Sequence, residues 1–275
     1  MKIGVRAHDF GRHTPKELSS LIHNAGFEAV QLAPTKAIEG VYQWEEITPA
    51  ILTEIQNSFF KNQVEIPILG CYIEPSLPDK EARMQQVRHF ITALTYAKEL
   101  GVPFVGTETT RLNPYTEAHL RAERYQYLKD SVLRMIEQAE RQNVTVAIEP
   151  VADHTLHSAE LTRQLLDEVG SDHLKVIIDP VNLILENTVA QQTDIYNAFF
   201  RLLGNEIAVA HIKDIVFEAG EKIWRNIGEG CIDLETVFRW LKESQPQIAV
   251  LREHVQPESS AIDIAALKQL AGRLQ

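Results

Sequence analysis

Short runs of β-branched and aliphatic residues alternate with longer amphipathic segments along the whole chain. The runs lie near residues 2–7, 27–32, 65–72, 103–108, 144–149, 175–179, 207–211 and 248–253, and each predicts a strand. Between and after them, segments 15–25, 48–62, 81–100, 116–142, 158–169, 189–203, 233–244 and 260–273 carry apolar residues at helical spacing. Local signals mark the helix ends. Thr14 before Pro15 and Glu17 forms a capping box with proline at the first helical position, and Thr48 before Pro49 repeats the proline device. Gly26, Gly101 and Gly170 stand where a helix wants a left-handed residue after its last turn.

Eight β-then-α units in about 250 residues predict an α/β fold of the (β/α)₈ TIM-barrel type. No Pro/Gly/Ser-rich linker or charge run divides the chain, so residues 1–275 are expected to form one domain. An open doubly wound sheet also alternates strand and helix, but the alternation inside the strands favours the barrel. In VTVAIE, Val144, Val146 and Ile148 share one side, and Thr145, Ala147 and Glu149 the other. In KIGVRAH, Ile3 and Val5 oppose Gly4, Arg6 and His8, and in FVGTE, Gly106 and Glu108 share a side. Bulky aliphatics are expected to face the helix ring, with small and polar residues inward.

Strand ends of one barrel face carry the candidate chemistry. TVAIE, KVIID, IAVAH and AVLRE end in Glu149, Asp179, His211 and Glu253, which a barrel would bring together at its carboxyl-end mouth. Three carboxylates and an imidazole in one place repel and shift each other's pKa values unless a cation joins them. Hard oxygen donors with one imidazole suit Mn²⁺ first, and also admit Mg²⁺, Co²⁺ or Zn²⁺. Four such ligands leave about two octahedral positions open for adjacent oxygens of a hydroxy-ketone. A lone strand-end acid commonly serves a salt bridge, and a lone histidine commonly packs. Four on successive strands argue for a site.

A second group has the right strand-end parity for the mouth. Arg6, His8, Tyr72 and Glu108 are candidates to bind hydroxyls or a phosphate, against ordinary barrel-layer packing and ion pairing. Lys213, two residues after His211, offers a charge to an enediolate oxygen, against a solvated loop lysine. Arg225 and the NIGEG loop that follows are candidates to close over substrate, although the glycines also suit a turn before a helix capped by Asp233. Asn182 reads equally as a turn residue or a substrate contact. His154 and His254 lie near the ligands in sequence, and the helix with Tyr115, Tyr125 and Tyr127 reads as a packing face or a homo-oligomer contact.

Composition narrows the partners. A net charge of −11 argues against a nucleic-acid or anionic-membrane surface and directs attention to small molecules. Cys71 and Cys231 lack metal-ligand spacing and read as reduced, buried thiols. The opening MKIGVRAHDFGRH has no apolar signal region and no run reaches spanning length, so a cytoplasmic location is expected.

Taken together, AIEP (147–150), IDPVN (178–182), HIKD (211–214), NIGEG (226–230) and LREH (251–254) resemble the motifs of the xylose isomerase-like TIM-barrel superfamily of sugar phosphate isomerases and epimerases, in its usual order. The resemblance covers nearly the whole chain. It implies that Glu149, Asp179, His211 and Glu253 hold a divalent metal and that Glu149 and Glu253 act as acid and base on opposite sides of the substrate. One tetrad departs. Ketose 3-epimerases of the family typically carry D-x-x-H after strand 6, and this chain has Asp179, Pro180, Val181 and Asn182. The endonuclease IV enzymes of the superfamily use extra histidines for a three-zinc cluster, but VGTETT, DPVN and KIWRNIGEG lack them. The expected activity is metal-dependent isomerisation or epimerisation of a small sugar or sugar phosphate through a cis-enediolate. The alternatives are dehydration of an inosose- or dehydroshikimate-like ketone, and sugar binding without catalysis.

Overall fold

The computed structural model describes residues 1–112 and 116–272. Its first seven strands are β1 (Lys2–Arg6), β2 (Ala29–Leu32), β3 (Glu65–Gly70), β4 (Phe104–Thr107), β5 (Thr145–Ile148), β6 (Leu174–Ile178) and β7 (Ile207–Ile212). A hairpin of β8 (Asp214–Glu218) and β9 (Glu221–Arg225) follows. β10 (Ala249–Arg252) then pairs in parallel with both β7 and β1 and closes an eight-stranded barrel, the fold read from the sequence. Around it run α1 (Pro15–Asn24), the single turn α2 (Pro34–Ala37), α3 (Pro49–Lys61), α4 (Lys80–Leu100), α5 (Ala118–Gln142), α6 (Ala159–Val169), α7 (Gln192–Leu203), α8 (Leu234–Ser244) and α9 (Ser260–Gly272). Among the described residues no helix is long and apolar enough to cross a membrane.

The caps work as their sequences predict. The Glu17 amide donates to Thr14 Oγ1 while Glu17 Oε2 accepts from the Thr14 amide, and Gly101 and Gly170 end α4 and α6 in the left-handed region.

Ile3, Val5, Val144, Val146 and Ile148 lie in the large core between strands and helices, as their alternation predicts. The barrel interior differs from expectation. It is filled by Ile68, Ile177, Val209 and Leu251 beside Ala29, Ala147 and Ala249, so bulky aliphatics face inward as well. Glycine makes the room: a Cβ on Gly106 would sit 2.8 Å from Ile68 Cδ1 and 2.9 Å from Ile177 Cδ1. Large side chains on some strands are thus matched by missing ones on their neighbours, which seals the barrel below the mouth.

The β8–β9 hairpin was not legible as a separate element. Its two-residue turn, Ala219–Gly220, has both φ values positive at 51° and 87°, the type I′ geometry that suits right-twisted strands. Alanine in place of the usual asparagine or aspartate hides that signal. Cys71 is buried as expected, whereas Cys231 is exposed because it leads from the NIGEG loop into α8 at the surface. Tyr125 is buried with its hydroxyl donating to Glu168 at 3.0 Å, and Tyr127 lies under the Arg83 guanidinium at 4.4 Å, so both serve helix packing. Tyr115 lies outside the described residues.

Candidate active site

Strand parity carries Ala147, Ile177, Val209 and Leu251 in the barrel plug to Glu149, Asp179, His211 and Glu253 two residues later at the mouth. Ligand atoms of Glu149, Asp179 and His211 lie within 4.8 Å of one another. Glu149 Oε2 accepts from His211 Nδ1 at 3.0 Å, and Glu253 Oε1 is 3.4 Å from the same nitrogen. Glu253 stands just outside that three-residue group, and two cations hold its other oxygen. Lys213 Nζ donates to Glu253 Oε2 at 3.0 Å, and Arg6 Nη1 is 3.5 Å away. Lys213 Nζ also lies 2.7 Å from Asp179 Oδ2. Asp179 Oδ1 accepts the amides of Val181 and Asn182 at 3.0 and 3.2 Å, an Asx turn that fixes the carboxylate at the strand end.

All four side chains are buried, which sets up an electrostatic problem with identifiable solutions. Burial raises the Asp179 carboxyl to about 6 despite the opposing pull of Lys213. Burial alone would lower His211, but Glu253 and Glu149 outweigh it and push the imidazole up to about 9. Burial likewise opposes the charge on Lys213, and Asp179 and Glu253 more than reverse the effect. Glu253 is held well below the usual carboxylate range, since Lys213, His211 and Arg6 overcome its desolvation. Protein cations therefore balance the carboxylates here. The donor set also fits a divalent ion: convergent hard oxygens and one imidazole, whose Nδ1 faces Glu149 and Glu253.

The second group divides. A cavity of about 550 Å³ opens above the cluster, and Arg6, Glu108, Asn182, Lys213, Trp224 and Glu253 are among the residues lining it. Asn182 is more than a turn residue, since its Nδ2 donates to Glu149 Oε1 at 2.6 Å. Burial, aided by Glu149, raises the Glu108 carboxyl to about 7, and His154 Nε2 lies 4.0 Å from it. His8 and Tyr72 meet edge to face at 6.2 Å, on the side of the mouth formed by β1 and β3. Gln31 Nε2 donates to the Tyr72 hydroxyl at 3.1 Å, and Lys36 Nζ sits 3.9 Å from the ring centroid. Burial, Arg6 and Lys36 drive His8 down to about 3, which keeps it neutral.

Arg225 does not line the cavity. It is engaged within the hairpin, where its Nη2 pairs with Glu218 Oε1 at 3.0 Å. The NIGEG loop also turns away from it, being wrapped around Asp214, whose Oδ2 accepts the Gly228 and Gly230 amides at 2.9 and 3.0 Å. A Cβ at Gly230 would collide with Asp214 Oδ1 at 2.0 Å, so that glycine serves the anchor. Lys222 and Trp224 are cavity residues that the sequence reading missed. Their period-2 spacing in EKIWR was the available signal, usable only once the hairpin is known. Trp224 stacks on His254 with ring centroids 3.7 Å apart, and His254 adopts a left-handed φ of 57°.

The sequence matches a family model described as xylose isomerase-like TIM barrel over residues 20–270. No curated protein matches it. Among solved structures, a D-tagatose 3-epimerase-like protein superposes with a TM-score of 0.81 at 17% identity, covering 100% of this chain and 98% of that one. The IOLI protein with a binding zinc atom gives 0.77 at 15% identity, covering 100% and 99%. The probable 3-DHS dehydratase AsbF from Bacillus anthracis gives 0.75 at 18% identity, covering 99% and 100%. At these identities the likeness is one of fold.

Proposed function

We propose that this chain, which belongs to the xylose isomerase-like TIM barrel family, is a divalent-metal-dependent isomerase or epimerase of a small carbohydrate. The observation that carries the reading is the convergence of Glu149, Asp179, His211 and Glu253 at the mouth, with Lys213 between Asp179 and Glu253. The epimerase-like and zinc-containing structures that share the fold support it.

A divalent ion held by Glu149, Asp179, His211 and Glu253, with Mn²⁺ the first choice, would polarise a substrate carbonyl and acidify the neighbouring C–H. Glu149 and Glu253 exchange that proton. One takes it from carbon as base, leaving a cis-enediolate, and the other returns a proton to the opposite face or to the adjacent carbon. Asn182 Nδ2 on Glu149 Oε1 and Lys213 Nζ on Glu253 Oε2 orient the two carboxylates. The buried Lys213 ammonium also offsets negative charge on an enediolate oxygen. The cavity above them receives the sugar, and a net charge of −11 argues against a nucleic-acid substrate. Positioned acid–base groups contribute about 10²–10⁴ in rate, so Glu149→Gln and Glu253→Gln should each lose at least that much. Turnover in D₂O should place deuterium at the reacting carbon, and product free of solvent deuterium at every stage would overturn the enediolate route.

One observation counts against ketose 3-epimerisation and so places a second reading beside isomerisation, a dehydratase that begins with the same proton removal. Asn182 stands where ketose 3-epimerases of the family carry histidine, and it is committed to Glu149. Product mass separates the readings, unchanged for an isomerase and lighter by one water for a dehydratase.

A further inference from the structure

Lys222 reaches the mouth cavity from the hairpin rather than from the barrel. It pairs in register with Phe217 and shares a face of β9 with Trp224, and all three line the cavity. Its Nζ donates to the Val181 carbonyl at 2.9 Å, in the loop that follows Asp179. An ammonium has three donors, so two remain.

The other cations lining this cavity are matched by carboxylates. Arg6 pairs with Asp9 and Glu253, Arg111 with Asp153 at 2.7 Å, and Lys213 with Asp179 and Glu253. Among the described residues no carboxylate lies within 4.0 Å of Lys222 Nζ. Burial works against its charge, and Asp179 and Asp153 favour it only from longer range. An acidic chain with a net charge of −11 has ample carboxylates to place beside this lysine, yet it points the charge unmatched into the substrate cavity. A charge partly removed from water is stabilised by an opposite charge that arrives with the ligand.

We propose that Lys222 recognises an anionic group, a phosphate monoester or a carboxylate, on the substrate of this same site, with the Trp224 ring as the wall beside it. The inference rests on the carbohydrate reading above and narrows it to sugar phosphates or sugar acids. The cluster of Glu149, Asp179, His211 and Glu253 would face the reacting end of the molecule and the hairpin the charged end.

Titration calorimetry on Mn²⁺-loaded protein tests this with ligands that cannot undergo isomerisation: D-glucitol, D-glucitol 6-phosphate and D-gluconate. At least one anionic ligand should bind more tightly than glucitol, and the stronger of the two identifies the group. Lys222→Gln keeps a donor for the Val181 carbonyl but no charge, and should weaken that ligand by roughly 10- to 100-fold while leaving glucitol unchanged. Lys222→Arg should retain most of the preference. Equal binding of all three ligands, no binding of either anion, or an undiminished preference in Lys222→Gln would overturn the proposal. Because these ligands are not turned over, the outcome is independent of catalysis. Turnover of ketoses without an anion preference removes this inference alone, whereas an anion preference without turnover removes only the isomerase reading.

Discussion

Asp263→Asn should destabilise the protein by several kilocalories per mole, although residue 263 lies in α9 and outside the candidate site. Asp263 and Arg252 are 0% and 1% exposed. Asp263 Oδ2 accepts from Arg252 Nε at 2.8 Å, and Oδ1 accepts from the Ile227 amide at 2.7 Å. Arg252 also donates to the Arg225 carbonyl at 2.9 Å and to the Glu253 carbonyl. One buried ion pair therefore joins α9, the end of β10, the end of β9 and the NIGEG loop, directly before the candidate ligand Glu253. The amide variant preserves shape and removes the negative charge, leaving the buried Arg252 guanidinium without its counter-charge. Breaking a buried pair from one side costs about 3–5 kcal/mol, which for a chain of this size is roughly 10 °C in Tm. Urea unfolding followed by circular dichroism gives the free energy, and a scanning thermal melt gives Tm. Metal affinity should fall as well, because the strand end that carries Glu253 loses its anchor. A variant within about 1 kcal/mol of wild type, with unaltered metal affinity, would refute the assignment of Arg252–Asp263 as the tie between helix ring and mouth.

Metal analysis after Mn²⁺ loading should find one tight site per chain, lost in His211→Ala; stoichiometric binding that survives the change would remove His211 from the ligand set. The raised Glu108 carboxyl gives a pH prediction for metal-free protein: burial favours its neutral form, so its contribution is intact below about 4.5 and declines as pH rises through about 7. Glu108→Gln should therefore gain stability relative to wild type across that window, and urea midpoints at pH 4 and pH 8 that move in parallel would contradict it. Abasic-site DNA should not be incised, because Thr107, Asn182 and Trp224 occupy places where the nucleases of the superfamily supply metal-binding histidines; metal-dependent incision lost in Glu253→Gln would reverse that conclusion.

Much of the barrel was legible because its determinants are local. Period-2 alternation set which side of β5 carries Ala147 and Glu149, and threonine and glycine caps bounded α1, α4 and α6. The same parity placed Glu149, Asp179, His211 and Glu253 on one face, because side-chain direction in a strand follows from residue number alone once the strand is known. Tertiary structure decided the rest, where the cause lies between distant segments. Interior packing depended on which strand sets Gly106 against Ile68 and Ile177, a matter of register that no single strand encodes. The destinations of Arg225, Lys222 and Trp224 depended on a hairpin whose Ala–Gly turn is a weak signal and whose strands fold back over the mouth. Lys213 could be read as solvated or buried until the fold brought Asp179 and Glu253, separated by 74 positions in the chain, to the same ammonium. Backbone periodicity sets where a side chain points, but its charge environment is the sum over whatever the closed barrel brings within a few ångströms.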